Sequence, residues 1–297
     1  MQHSGPSLTL PALTIREPMI PPPKVPGYEL FQCLGSGSMA SVYSARSIAT
    51  NESCAVKILR EEWWEDATAV QLIRREARAG LHVTHPHLVR IFDAHIAHPP
   101  YFLVLDLLEG ETVRERLRRE YRLDLSSSLW IVRQIAESLA SLHRAGFVHG
   151  DVKPENIRLI NSGTAILVDL GFAHRPGENA EMMASGFVMG TANYLSPELC
   201  NTDPSDDPAS DVFSLGVTMF EMLTGVLPYP LGNVEDTMIR HRDGEPANLT
   251  DYPGNWPVAL QCLVLRMLER KPSARWRASA VVRHLIACEI ACLRRSG

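Results

Sequence analysis

His149-Gly150-Asp151-Val152-Lys153-Pro154-Glu155-Asn156 brings an aspartate, a lysine and an asparagine within six residues, and Asp169-Leu170-Gly171 follows after a hairpin-sized gap. These residue types at this spacing suit the movement of a phosphoryl group onto a hydroxyl. Asp151 can receive the hydroxyl proton, and Lys153 can face the transferred phosphate. The Asn156 amide oxygen and the Asp169 carboxylate can hold a divalent metal that bridges the phosphates. Acidic and amide side chains often fall close together by chance, so the elements on either side carry the decision.

Upstream, Tyr28–Leu34, Ser41–Arg46, Ser53–Leu59, Leu88–Ala94 and Tyr101–Leu107 read as short strands. Between the third and fourth lies Glu65–His82, where Ala69, Leu72, Ile73 and Ala77 fall at helical spacing. Leu34-Gly35-Ser36-Gly37-Ser38-Met39-Ala40-Ser41-Val42 sits at the first strand-to-strand turn. Gly35 and Gly37 let backbone amides approach a triphosphate, although Gly-Ser-Gly is also an ordinary hairpin turn. A strand follows this turn, which argues against a dinucleotide fold and a Walker loop. Ala55-Val56-Lys57-Ile58-Leu59 places one lysine in an apolar strand. Such a lysine is costly unless paired, and Glu76 in the next helix is the candidate partner.

Downstream, helices dominate from Thr112. In Ser126–Arg144 the stripe Leu129, Val132, Ile135, Leu139 and Leu142 recurs every three or four residues, with Asp124 or a following serine as cap and Gly146 as stop. Further helices are expected over Ser210–Leu223, Pro257–Leu268 and Ala278–Cys292. The expectation is an α+β, bilobal fold: a five-stranded antiparallel lobe with one helix over 27–107, a linker near Leu107–Gly110, and a mainly helical lobe over 108–292. Residues 1–26, with seven prolines, read as an extended or disordered lead, and 293–297 as a short tail.

The bulk numbers narrow the function classes. The 297 residues can bury a substantial core, and a net charge of −5 gives no reason to expect nucleic acid or an anionic membrane as partner. No apolar run approaches the roughly 18–20 residues that a membrane span needs. Six scattered cysteines without a Cys-x-x-Cys pair read as reduced thiols in the cytoplasm. His82, His85, His87, His95 and His98 spread over a helix end, a strand and a loop, so packing is the better reading than a metal cluster.

With these pieces in place, the chain resembles the protein kinase family from about Tyr28 to Ile286, and most of all its bacterial serine/threonine branch. The resemblance implies that Lys57 holds the α- and β-phosphates and pairs with Glu76. It makes Asp151 the catalytic base and Lys153 the stabiliser of the transferred phosphate. Asn156 and Asp169 become ligands of Mg2+, with Mn2+ as a substitute. ATP is then expected against Leu34, Gly35, Ser36, Gly37, Ser38, Val42, Ala55 and Lys57. Asp106-Leu107-Leu108 is expected to meet adenine through its backbone, and Leu105 to gate the rear of the pocket. Further along, Gly190–Glu198 resembles the segment that closes the activation region, with Thr191 touching Asp151 and Lys153. Asp211 resembles the aspartate that steadies the catalytic loop, and Arg275 the partner of Glu198. Lys153 marks the serine/threonine version of the loop, so the implied substrates are protein Ser/Thr hydroxyls. A homodimer through the small lobe is a further expectation. Many members of this branch continue into a membrane span and an outer sensor, and neither is expected here.

Two departures bear on function. Gly150 replaces the arginine that, in the family, grips a phosphate on the activation loop. Ser185 is the sole hydroxyl residue between Gly171 and Gly190. The expectation is therefore a kinase that needs no loop phosphate or depends on it weakly. Leu170 replaces a phenylalanine and is expected to fill the same apolar slot. The rival reading is a pseudokinase scaffold that binds ATP or partners without transfer. Glu109, Glu111 and Glu155 near the cleft suggest a taste for basic peptides.

Overall fold

The computed structural model describes residues 23–160, 163–180, 190–201 and 207–293. Most of the proline-rich lead, Ser185 and the last four residues lie outside them.

β1 (Tyr28–Ser36), β2 (Ala40–Ser47), β3 (Ser53–Leu59), β4 (Ile91–His95) and β5 (Phe102–Leu105) form one antiparallel sheet in the order β1-β2-β3-β5-β4. The period of two divides β3 between two cores. Cys54, Val56 and Ile58 pack on the outer face with Phe102 and Val104. Ala55 and Leu59 face the main core, which puts Lys57 between them on the inner face. The register then sets Val42 opposite Lys57 and Leu105 opposite Ala55. One helix, α1 (Ala67–His82), crosses this inner face, and the Asp66 carboxylate caps it by accepting from Ala69 N at 2.8 Å. Alongside its apolar stripe α1 buries Arg75 and Glu76, both of which therefore require partners.

The second lobe holds α2 (Val113–Glu120), α3 (Leu125–Arg144), α4 (Ala209–Thr224), α5 (Val234–Asp243), α6 (Val258–Met267) and α7 (Ala278–Leu293). α3, α4, α6 and α7 fall within two residues of the expected limits, and Asp124 caps α3 by accepting from Ser127 N at 2.9 Å. α4 is the hub: every residue except Ala209 and Ser214 is buried. A helix apolar or buried all round belongs in a core, which is why its own Asp211 and Glu221 must find charged partners.

Five elements were not anticipated, three strands and two helices. β6 (Gly110–Thr112), β7 (Ile157–Ile160) and β8 (Ala165–Leu167) form a small antiparallel sheet beneath the cleft. The stretch read as a linker near Leu107–Gly110 runs directly into β6. α2 starts with a reciprocal cap, in which Thr112 and Glu115 satisfy each other's backbone amides. α5 escaped notice because its sequence, VEDTMIRHRD, buries only Thr237 and His241.

Candidate active site

The lobes enclose a cleft of about 720 Å³. Leu34, Gly35, Ser36, Gly37, Ser38, Val42, Ala55, Lys57, Leu105, Asp106 and Leu108 all line it, as do Glu76, Asp151, Lys153, Asn156 and Asp169. On its upper wall Lys57 Nζ donates to both Glu76 oxygens, at 2.9 and 2.8 Å, and to Asp169 Oδ1 at 2.8 Å. One buried cation thus joins β3, α1 and the segment after β8. Burial works against the Lys57 ammonium, yet the two carboxylates outweigh it and hold its pKa above the ordinary range. The Lys57 charge in turn draws Asp169 down to about 2. Glu76 is pushed up by burial, which its share of Lys57 offsets only in part. Asp169 adopts φ 63°, a left-handed conformation uncommon for a non-glycine residue, and its Oδ1 also accepts from Gly171 N at 3.2 Å. Leu170, next to it, is fully buried in the core.

On the lower wall the Asp151 carboxylate is a point of convergence. Lys153 Nζ lies 2.6 Å from its Oδ2, and Asn156 Nδ2 donates to the same oxygen at 2.9 Å. Thr191 Oγ1 donates to Oδ1 at 2.9 Å and itself accepts from Lys153 Nζ at 2.6 Å. The Asn156 amide nitrogen is fully committed to Asp151, since it also donates to the Asp151 carbonyl at 2.8 Å. That leaves the amide oxygen as the group Asn156 can offer a metal. Asn156 and Asp169 together supply hard oxygen donors, the chemistry that suits Mg2+ or Mn2+ completed by phosphate oxygens and water.

Asp211 reaches up from α4 to hold this loop in shape. Its oxygens accept from His149 N at 2.8 Å and Gly150 N at 2.9 Å, and share a 2.8 Å bond with His143 Nε2. Burial opposes ionisation of Asp211, but the His143 bond and the neighbouring histidines hold its pKa below 3.8. A depressed carboxylate contributes stability that is fully present above the unfolded value, near pH 4, and is lost as pH falls through the folded value. Asp211→Asn is therefore expected to lower the melting temperature at neutral pH, with the gap to the parent shrinking below about pH 4. A gap that stays constant across that range, in melting curves taken against pH, would remove this assignment.

Gly150 and Gly190 meet under the catalytic loop. Gly150 has φ +81°, and a Cβ there would sit 3.0 Å from Phe172 O. Gly190 has φ +98°, and a Cβ would lie 2.9 Å from Gly150 O. Neither position accepts a side chain without strain, so an arginine does not fit at 150 in this backbone.

Several contributors were not read from the sequence. Arg158 Nε donates to Leu108 O at 2.9 Å and its Nη2 to Gly110 O at 2.8 Å, pinning the connection between the lobes. Trp63 Nε1 donates to Ser38 O at 3.0 Å, and Arg60 Nη1 to Gly37 O at 3.2 Å, steadying the tip of the glycine-rich turn. Arg114 is the busiest: it bonds Glu155 at 2.7 Å, Glu221 at 2.7 and 3.1 Å, and Tyr194 Oη at 2.5 Å. These contacts bear on the expectation built on the acidic residues. Glu155 is paired with Arg114, which also serves Glu221, and Glu111 with Arg119, which also serves Glu120. Of the three, Glu109 alone has no part in these pairs.

Glu198 and Arg275, as expected, form a two-pronged pair with both contacts at 2.6 Å. Arg275 also donates to three carbonyls, of Ala209, Glu269 and Arg270, and stacks 5.0 Å over the Phe213 ring.

A small sheet lobe with one helix, a helical lobe, and a cleft that gathers Lys57, Asp151, Asn156 and Asp169 define a fold of the protein kinase type. The chain belongs to the protein kinase family, whose domain it matches over residues 28–286. It is 31% identical over 267 residues to the serine/threonine-protein kinase PknB of Mycobacterium leprae, covering 89% of this chain and 43% of that protein. To the serine/threonine-protein kinase PknD of Mycobacterium tuberculosis it is 32% identical, covering 85% and 38%. To PrkC of Bacillus subtilis, also a serine/threonine-protein kinase, it is 28% identical, covering 85% and 39%. The chain thus spans about two fifths of the length of these relatives. Membership implies use of ATP with a divalent metal. No helix among the described residues is long and apolar enough to cross a membrane.

Proposed function

We propose that residues 27–292 form a serine/threonine protein kinase domain that moves the ATP γ-phosphoryl group to Ser or Thr hydroxyls of proteins. The observation that carries this reading is the meeting of Asp151, Lys153 and Thr191 within hydrogen-bonding distance, in the same cleft as the Lys57–Glu76–Asp169 cluster. Lys57, held by Glu76, binds the α- and β-phosphates. Asn156 and Asp169 hold Mg2+, or Mn2+ in its place; when bound, that ion neutralises charge on the β- and γ-phosphates. Asp151 orients the incoming hydroxyl and accepts its proton, and Lys153 stabilises the transferred group. Ala55, Val42 and Leu105 give the adenine an apolar slot. A cytoplasmic location, where ATP and reduced cysteines coexist, belongs to the same proposal.

The test is incubation with labelled ATP and a generic protein substrate, with and without Mg2+ or Mn2+, followed by acid hydrolysis. Label on phosphoserine or phosphothreonine that depends on the metal supports the proposal. ATP consumed only with a small metabolite would overturn it.

The paired carboxylates give the substrate side a direction. Peptides with arginine near the acceptor are expected to react no faster than neutral ones, because Arg114 already pairs with Glu155. Arg114→Met leaves the exposed Glu155 carboxylate unpaired at the cleft, and the ratio of kcat/KM for arginine-containing over neutral peptides is expected to rise about tenfold, or ~1.4 kcal/mol. An unchanged ratio would show that Glu155 does not face the peptide.

A further inference from the structure

Beyond the cleft, three arginines converge on one stretch of chain downstream of Asp169-Leu170-Gly171. After Gly171 the backbone runs beside the catalytic loop, where Val148 and His174 exchange hydrogen bonds at 2.8 and 3.1 Å. It then turns at Gly177 towards α1. There Glu178 Oε2 accepts from Arg78 Nη2 at 2.5 Å and from Arg175 N at 2.9 Å. Arg75 Nη2 donates to Glu178 O at 2.9 Å, and its Nη1 to Asn179 Oδ1 at 2.6 Å. Arg75 and Asn179 are both buried, so this contact is built into the fold. The guanidinium groups of Arg78 and Arg175 both stack on the buried Phe147 ring, at 5.6 and 5.1 Å.

Two like charges on one ring, with a third close by, repel unless an anion is shared. Glu178 supplies an anion to Arg78, with the Arg75 charge close by. Burial opposes its ionisation, but the Arg78 bond and the Arg175 amide hold its pKa below the ordinary value. Arg75 and Arg78 flank Glu76 on α1, and Glu76 is the residue that positions Lys57. The carboxylate therefore ties the segment after the metal-binding motif to the helix that completes the upper wall.

We propose that Glu178 is a positioning residue for phosphoryl transfer: its carboxylate, bonded to the Arg78 guanidinium and the Arg175 amide while its carbonyl receives Arg75, docks this segment on α1 and holds Glu76 against Lys57 without a phosphate added to the chain. In chemical terms a resident carboxylate does what a phosphate gripped by arginines would do. The backbone at Gly150 fits this division of labour, since it leaves no room for an arginine facing a loop phosphate. The inference rests on the kinase reading for its effect on rate, but the docking itself can be read separately.

The experiment compares the full chain with Glu178→Gln, Glu178→Asp and Ser185→Ala. Hydrogen exchange over α1 measures docking, and steady-state transfer measures its consequence. Glu178→Gln is expected to speed exchange at α1 amides around Arg75–Arg78 and to lower kcat about tenfold or more with a smaller change in KM for ATP. Glu178→Asp, which keeps the charge, is expected to recover part of both. Ser185→Ala is expected to stay within twofold of the parent. Unchanged α1 exchange in Glu178→Gln overturns the docking role whether or not the protein transfers phosphate. Faster exchange with parental kcat overturns the positioning role, and a hundredfold loss in Ser185→Ala would restore dependence on a loop phosphate. A parent chain that transfers nothing, while its α1 exchange still responds to Glu178→Gln, would instead count against the kinase reading alone.

Discussion

Asp151→Asn is expected to fold like the parent and to lose phosphoryl transfer by about 10²- to 10⁴-fold, the usual contribution of a positioned proton acceptor. The replacement is nearly isosteric. Its amide can still accept from Thr191 or Lys153 through the remaining oxygen, and the loop stays pinned by Asp211 through His149 N and Gly150 N. What disappears is the second carboxylate oxygen and with it the capacity to take a hydroxyl proton. Binding of ATP should survive, because Lys57, Glu76 and the glycine-rich turn belong to the opposite wall of the cleft. Rate loss with retained ATP binding, measured by transfer kinetics beside ligand-induced thermal shift, is the expected pattern. Loss of both together would mean that the substitution damages the cleft as a whole.

The largest effect on stability is expected at Arg275→Met. The Arg275 side chain is fully enclosed, with 0% exposure, and its partner Glu198 shows 6%. Removing the guanidinium strands a buried carboxylate and three carbonyls at once. Deleting one member of a buried pair costs about 3–5 kcal/mol. Ser210 Oγ, at 2.8 Å from Glu198, can soften the loss but brings no charge. Replacing both partners, as Glu198→Gln with Arg275→Met, should recover a good part of it, since no buried charge is then left alone. Urea unfolding of the two variants checks this, and a loss below about 1 kcal/mol for the single change would contradict it. Because Glu198 closes the segment that begins at Gly190, the same variant should also disturb Thr191 and transfer.

Much of this site is written locally. Lys57 stood out because a cation in an apolar strand must be paired, and the next helix offered Glu76 on its inward face. The loop from His149 to Asn156 is legible because its functional groups lie within one turn of chain. The strands of the small lobe and the helices α3, α4, α6 and α7 were readable from period alone. The elements that escaped lack such a signal. β6, β7 and β8 are three or four residues long, too short for an alternating pattern to emerge. In VRERLRRE, α2 carries four arginines, and nothing local singles out Arg114 as the one turned inward to Glu221. Arg158 and Glu178 meet partners about 50 and 100 residues away, so their roles exist only once the chain has folded. The pairing of Glu155 is likewise hidden, since Arg114 lies 41 residues away, whereas Glu111 meets Arg119 only eight residues along, a pairing set by how α2 turns.

The central claim is that this cleft moves a phosphoryl group from ATP to protein hydroxyls through Asp151. The most direct measurement is transfer from γ-labelled ATP with Mg2+, to the chain itself and to an added protein, by the parent and by Asp151→Asn side by side. Label on Ser or Thr with the parent, reduced at least a hundredfold by the substitution, is the expected result. No transfer by the parent while ATP still raises its melting temperature, or equal transfer by both proteins, would contradict it.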